Sequence, residues 1–258
     1  MTQRIAAIAA NTFREAVRDR VLYNLILFAL LLVAAAVLFG QISLDIERIV
    51  VINLSLTSIS IFGVVIAIFI GTQLVSKEIE KKTLYTVLAR PVRRWEFIIG
   101  KFFGLIETLG VNTFFMALGF YAALFYVSHG LHPSDLNILL AIYFIVLQFV
   151  IVIALALLFS SFSTPIFSAI FAFALFVIGT FADDLKNFAK LSEGTVHWVI
   201  AGVAYALPNF GSLNVISSVA HDQPITFALF ANNTLYAALY SCAVVSGAVL
   251  IFERRNLK

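Results

Sequence analysis

Sulfur and charge are what this sequence has least of. Among 258 residues there is one cysteine, Cys242, and there are two methionines, Met1 and Met116. A single thiol excludes an internal disulfide and any metal site built from several cysteines. Lying in an apolar run, Cys242 reads as a small buried hydrophobe. Charged residues make up 12% of the chain against 62% hydrophobic, with a mean hydropathy of +1.02. Soluble domains run at about 25% charged and about 45–50% apolar, so this composition excludes a soluble globular domain and implies an all-α, multispan integral membrane protein. Catalytic signatures are missing too. Gly100-Lys101 is followed by Phe102 rather than Ser or Thr, and the upstream glycine of a P-loop is absent. No His-Glu-x-x-His or Gly-x-Ser-x-Gly stands anywhere in the chain. The chain is therefore expected to bind no cofactor and to be no enzyme.

What charge there is gathers in one place. Residues 75–101, VSKEIEKKTLYTVLARPVRRWEFIIGK, hold seven of the 17 basic residues: Lys77, Lys81, Lys82, Arg90, Arg93, Arg94 and Lys101. The segment lies between two long apolar runs and has a design of its own. Lys77 to Ala89 reads as a short helix with Ser76 as its N-cap. Glu78 and Glu80 fall in its first turn, where the helix dipole favours acids. Pro91 stops it, because the residue before a proline is pushed out of the α region. Ile79, Thr83 and Val87 form a ridge at i, i+4 and i+8, with Leu84 and Leu88 beside it. A solvated loop is one reading. A docking element is the better one, since a plain loop needs no capped helix and no proline break.

The remainder alternates between spans and turns. Residues 2–20 do not read as a signal peptide, because the apolar stretch Ile5 to Ala10 is short and charge resumes at Arg14. Ile5, Ile8, Ala9, Phe13, Ala16 and Val17 repeat at helical spacing, opposite Asn11, Arg14, Glu15 and Arg18. That pattern predicts an amphipathic interfacial helix; packing on a partner is the alternative. Spans are expected at about 21–40, 49–75, 97–127, 136–159, 165–182 and 225–252, each long enough for about 30 Å of hydrocarbon except the short, Phe-rich fifth. Pro165 suits the first turn of that helix. Asn53, Ser55, Thr57, Ser58 and Ser60 make the second span polar at its start and are expected to bond to neighbouring helices. Residues 76–96 join the second span to the third and hold the docking element. Residues 183–224 form the largest stretch outside the spans and contain a short interfacial or re-entrant helix at 195–207.

Six spans put both termini on one side. Arg4, Arg14, Arg18 and Arg20, the seven bases of the central segment, and Arg254, Arg255 and Lys258 share that side, leaving Arg48, Lys186 and Lys190 on the other. By the positive-inside rule the termini and the 75–101 segment are cytoplasmic, in a cytoplasmic (inner) membrane.

The central segment resembles the cytoplasmic loop of ABC-2 type ABC-transporter permeases, where a Glu, a basic-Thr pair, a Leu, a Pro, an Arg and a Gly-Lys recur between spans two and three. Here they correspond to Glu78, Lys82-Thr83, Leu88, Pro91, Arg94 and Gly100-Lys101. Many members carry Gly where this chain has Lys82. The start resembles the family's elbow helix. Ala206-Leu207-Pro208-Asn209-Phe210 and the ending 250–257 are similar to the branch near the copper-enzyme-maturation permeases. The resemblance implies one transmembrane half of an exporter. Its partners would be a second permease copy (homodimer or related heterodimer), two ATPase chains that carry ATP and Mg, and membrane lipid, with no nucleic acid. Glu78, Ile79, Lys82, Thr83, Val87, Leu88, Arg90, Pro91 and Arg94 would be the ATPase-coupling residues. A multispan scaffold that docks a partner through the same helix and moves nothing is the alternative.

Glu107 is the one ionisable residue well inside a span, about 9 Å along the helix from Lys101 at 1.5 Å per residue. It shares a helix face with Gly100 and Gly104, so a close helix contact beside the carboxyl is expected. A pathway role and an interhelical hydrogen bond both stand as readings. Asn53 and Asn112 join it as intramembrane polar candidates. His129, His132, His197 and His221 fall on the outer side, but external Cys and Met, the soft ligands for Cu(I), are absent. Ordinary interfacial histidines are the simpler reading, with Trp198 and Tyr205 at the membrane surface.

Overall fold

A computed structural model describes residues 2–42, 47–80, 93–128, 130, 135–192 and 194–254. Ten α-helices account for nearly all of them: α1 Thr2–Val17, α2 Arg20–Ile42, α3 Glu47–Glu80, α4 Arg94–Ser128, α5 Leu136–Ser160, α6 Pro165–Thr180, α7 Ala182–Leu191, α8 Gly194–Ala206, α9 Ile216–Ala220 and α10 Phe227–Arg254. A 3₁₀ turn, Gly211–Leu213, precedes α9. The chain is thus an all-α integral membrane protein.

The most buried helix is α5, with Phe144, Phe149, Val152 and Ala156 each at 1% exposure or less. Against it lies α3. A Cβ on Gly63 would overlap the Phe149 ring, and one on Gly71 would stand 2.9 Å from the Ala156 Cβ. Lipid supplies no hydrophobic drive between helices, so closeness of this kind, which only small residues permit, is what holds them. One polar tie crosses the same interface, Ser60 Oγ to Gln148 Oε1 at 3.3 Å. Two other polar residues of early α3 depart from expectation. Ser58 and Asn53 bond to carbonyls one turn back on their own helix, which satisfies the group without needing a neighbour.

Three features of the helices differ from the sequence reading. First, the helix does not break at Ser76: α3 runs on to Glu80. No proline or glycine interrupts residues 74–80, and extending a helix is far easier than nucleating a new one. Second, residues 183–224 are largely helical, and α6 bends by 52° into α7 rather than running into a loop. Third, Cys242 is exposed rather than buried. The inward stripe of α10 is Asn233, Ala237, Ser241, Val245, Ala248 and Phe252, and Cys242 sits one residue round from it. Among the described residues four helices (part of α3, then α4, α5 and α10) are long and apolar enough to cross a membrane. The number rises to six if two bent pairs, α6 with α7 and α8 with Gly211–Ala220, each cross once. The remaining expected span, α2, carries a shorter apolar run, Leu25–Gly40.

Helix direction gives the molecule two distinct ends. One carries α1, the end of α3, the start of α4 and the end of α10, and is called here the α1 end. The far end carries α7, α8, α9 and the starts of α3, α5 and α10.

Candidate functional site

At the α1 end, α4 begins inside a set of contacts that fix its first three turns. Glu96 sits at its third position and accepts from the Arg93 backbone N–H at 3.0 Å, which satisfies a donor that the helix start leaves open. Arg94 reaches across to α10 and donates through Nη1 to the carbonyls of Phe252 (3.3 Å) and Glu253 (2.9 Å). Those are the carbonyls that a helix C-terminus cannot satisfy itself, and a cation there is favoured by the dipole. Beside them the Phe97 and Phe252 rings stack at 5.9 Å. The start of α4 is thereby bound to the end of α10.

The next turn is bound to α1. A Cβ on Gly100 would lie 2.7 Å from the Ile8 Cβ, and one on Gly104 would lie 2.5 Å from the Ala9 carbonyl oxygen. Only glycine lets α1 approach α4 this closely. The buried face of α1 is the one its sequence pattern predicts, Ala9 and Ala16 with Ile5, Ile8 and Phe13 partly covered. Thr12 joins it, fully buried, its hydroxyl turned back to the Ile8 carbonyl at 2.9 Å. Between the two glycines, Lys101 is 1% exposed. Its Nζ lies 3.4 Å from Glu15 Oε2 and 5.6 Å from the centre of the Phe97 ring. The amphipathic helix therefore seats on α4 of its own chain, and Gly-Lys-x-x-Gly is the seat.

The predicted site residues separate into three groups. Arg94 lies in the clamp just described. Glu78 and Ile79 fall on the last turn of α3, while Lys82, Thr83, Val87, Leu88, Arg90 and Pro91 lie outside the described residues. The intramembrane candidates do not form one surface. Asn112 is 5% exposed and its Nδ2 has no hydrogen-bond partner among the described residues. Asn53 stays on its own helix. The close helix contact expected on this face is made by α1 at Gly100 and Gly104, while Glu107 itself is exposed on the open side of α4, with Phe103 and Phe114 also exposed.

Two polar knots at the far end were not foreseen. Arg48, at the start of α3, donates to Asp135 Oδ1 at 2.6 Å and to Asp222 Oδ2 at 3.2 Å, joining the start of α5 to the turn after α9. Asp222 holds φ 54° there, a conformation that Asp tolerates better than most residues. The second knot centres on Asn209, which is 8% exposed. Its Nδ2 donates to Asp183 Oδ1 (2.6 Å), its N–H to the Tyr236 hydroxyl (2.7 Å), and its Oδ1 accepts from the Ser212 N–H (3.1 Å). Asn233 of α10 closes the ring by donating to the Ser212 carbonyl at 2.8 Å. The signal for this knot was the Leu-Pro-Asn-Phe string itself. Of the histidines, His197 and His221 each place Nδ1 2.8 Å from a backbone carbonyl, of Ala189 and Ser217. His129 and His132 lie outside the described residues.

No curated protein sequence matches this chain. A family profile does: the profile described as ABC-2 family transporter protein matches residues 6–255, nearly the whole chain. The chain belongs to the ABC-2 transporter family. It is a multi-pass permease subunit of an ABC transporter, and that membership implies association with an ABC ATPase. In this ABC-2 permease the clamp at the α1 end therefore sits where the segment joining α3 to α4 enters the bundle.

Proposed function

We propose that this permease is the transmembrane half of an exporter. A separate ATPase docks on residues 76–92, and the α1–α4–α10 clamp carries the resulting displacement into the bundle. One observation carries the reading: the first turns of α4, directly after the docking segment, are joined to α10 through Arg94 and Phe97 and to α1 through Gly100, Lys101 and Gly104. A push on the segment meets three helices together. In this reading α2, α3, α4, α5, α6 and α10 are the six spans, both termini and the 76–92 segment are cytoplasmic, and a second permease copy completes the pathway. Leu88 and the Ile79, Thr83 and Val87 ridge are the buried anchors of the ATPase contact. Glu78, Lys82 and Arg94 set register and association rate, Arg90 is a further coupling residue, and Pro91 holds the angle between segment and span. Glu107, on the open side of α4, is a pathway residue, with Asn53 and Asn112 as further intramembrane polar candidates.

Co-expression with the ATPase tests the docking. Leu88→Asp should abolish ATPase co-purification while membrane insertion persists, and Pro91→Ala should keep binding yet lose substrate-stimulated hydrolysis. Unchanged ATPase binding by Leu88→Asp removes the docking role from this segment.

A further inference from the structure

The hairpin of α7 and α8 encloses a cavity of about 310 Å³ whose walls include Lys186, Lys190, His197, Trp198 and Tyr205. Nothing in the transport reading uses it. The geometry points to a binding site for the headgroup of an anionic phospholipid, taken from the leaflet at the far end of the bundle.

Three observations converge. The first is charge. Lys186 and Lys190 stand four residues apart on α7, so both ammonium groups project from one helix face. Lys186 is held in place: its Nζ is 3.1 Å from Asp183 Oδ1 and 5.9 Å from the centre of the Tyr205 ring. Asp183 is itself anchored by Asn209 at 2.6 Å, so this wall of the cavity is rooted in the buried knot. Lys190 pairs with no acid among the described residues and is exposed. The cavity thus carries one cation braced by an acid and one exposed cation that pairs with no acid among the described residues, which suits a phosphate diester.

The second is the hydrogen-bonding wall. His197 sits against the Ala189 carbonyl at 2.8 Å through Nδ1 and edge-on to Trp198, with ring centres 5.3 Å apart. This contact pins α8 to α7 and commits Nδ1, so the ring's remaining polar atom is Nε2. Trp198 and Tyr205 add an indole N–H and a phenol, groups that settle at headgroup level in membranes.

The third observation separates a lipid from a soluble anion. Around the cavity the hairpin exposes Phe188 (59%), Leu191 (83%), Val199 (60%) and Trp198 (76%). An apolar skin of this kind is unfavourable in bulk water and marks a membrane-seated surface. Lysine stems lie along such a surface while their ammonium groups reach for the headgroups. A water-soluble phosphate ester would need the lysines but not the apolar approach; a phospholipid uses both.

Lipid-quenching of the Trp198 fluorescence tests the site in the full-length protein reconstituted in vesicles. Trp95→Phe leaves Trp198 as the one tryptophan, because the chain has two. In phosphatidylcholine bilayers with a minor fraction of brominated phosphatidylglycerol, quenching should correspond to about fivefold enrichment of the anionic lipid beside Trp198, the effect of about one lysine at a membrane surface. Lys186→Gln with Lys190→Gln should return quenching to the bulk composition. Enrichment should also fall as salt is raised. No enrichment in the starting protein, or enrichment that survives the double substitution, overturns the proposal. Millimolar glycerol phosphate in the aqueous phase is the arm that separates the sources. Quenching retained in its presence supports a lipid headgroup, and quenching abolished by it assigns the site to soluble phosphate esters instead. If Trp95→Phe lowers the yield, mass spectrometry of the phosphatidylglycerol retained by the unsubstituted protein and by the double lysine variant reads the same difference.

Discussion

The two ends of the bundle are held together by different physics. At the α1 end, helices touch backbone to side chain across glycine, and among the described residues the contacts that fix α4 use few polar groups: a buried ammonium with its Glu15 partner, a guanidinium on a helix terminus and a capping carboxylate. At the far end one backbone approach is just as close, a Cβ on Gly179 lying 2.4 Å from the Pro208 carbonyl oxygen, but short loops are tied in addition by side-chain hydrogen bonds that converge on Asn209 and Arg48. The difference follows from what each end contains. Long helices that cross or underlie a membrane satisfy their own backbones, so their mutual contact rests on shape and small residues. Short helices and turns leave many N–H and C=O groups open, and side chains such as Asn209 must satisfy them. An end built by shape can shift as a body, whereas an end built by directed hydrogen bonds resists small displacements. In the proposed coupling, that contrast assigns the moving half to the α1 end.

The sharpest way to break the contrast is to fill the seat. Gly104→Leu forces a side chain against the Ala9 carbonyl, 2.5 Å from where the Cβ would stand. Backbone there cannot rotate away as a flexible side chain would. The expected cost is about 3 kcal/mol, read as a lowered unfolding midpoint in mixed micelles, with Arg14 and Arg18 of α1 opened to trypsin.

Next comes Asn209→Ala, expected at about 2 kcal/mol because Asp183 and the Ser212 N–H lose their partner inside a largely buried knot. Asn209→Asp is the finer probe. It keeps shape but loses the Nδ2–H donor and sets a second carboxylate against Asp183, now 2.6 Å from the amide nitrogen. It should therefore do no better than alanine. Rescue by Asp would show that the knot works by shape rather than by directed bonds.

Smaller effects belong to the charge pair. Glu15 is 41% exposed at its side chain and Lys101 only 2%. Lys101→Met replaces a buried cation by a similar apolar stem and leaves a carboxylate that water can still reach, so the change in stability should stay under about 1 kcal/mol. Glu15→Gln takes the anion away from a buried ammonium and should cost more, about 1–2 kcal/mol. Comparing the two unfolding midpoints checks the order. Equal effects would mean that the pair contributes as a surface bridge does, independently of where Lys101 is buried.

Much of this was legible from residues alone, for definable reasons. Composition decides membrane residence, and apolar run length places the helices, because the bilayer imposes both. The face of α1 was readable because its 3.6-residue period is clean; only Thr12 hid, since a hydroxyl that returns to its own helix counts as polar in a pattern and apolar in a contact. Cys242 was misjudged because a run that is apolar all round does not say which side faces the bundle. Ser76 looked like an N-cap because capping residues signal a start only where the preceding helix has ended. The seat at Gly100 and Gly104 was half visible: the spacing announced a close contact, but which helix would fill it depended on where α1 folds back. The far-end knots were not foreseen: the Leu-Pro-Asn-Phe string marked Asn209 but not its partners, and no local pattern encodes a meeting of residues as distant as Arg48 and Asp222.

The account's central claim is that α1 and the start of α4 move as one body when the ATPase acts. A disulfide tests it most directly. In a Cys242→Ser background, Ile8→Cys and Gly100→Cys set their Cβ atoms 2.7 Å apart, closer than the roughly 3.5–4.5 Å a disulfide spans, so α1 has to ease outward by about 1 Å to accept the bridge. The complex with its ATPase is reconstituted, and hydrolysis is measured in the oxidised and the reduced state. The account predicts that the bridge forms and that substrate-stimulated hydrolysis runs at the same rate in both. Hydrolysis lost on oxidation and restored by reduction would show that α1 must leave its seat on α4 during the cycle, and would contradict the claim.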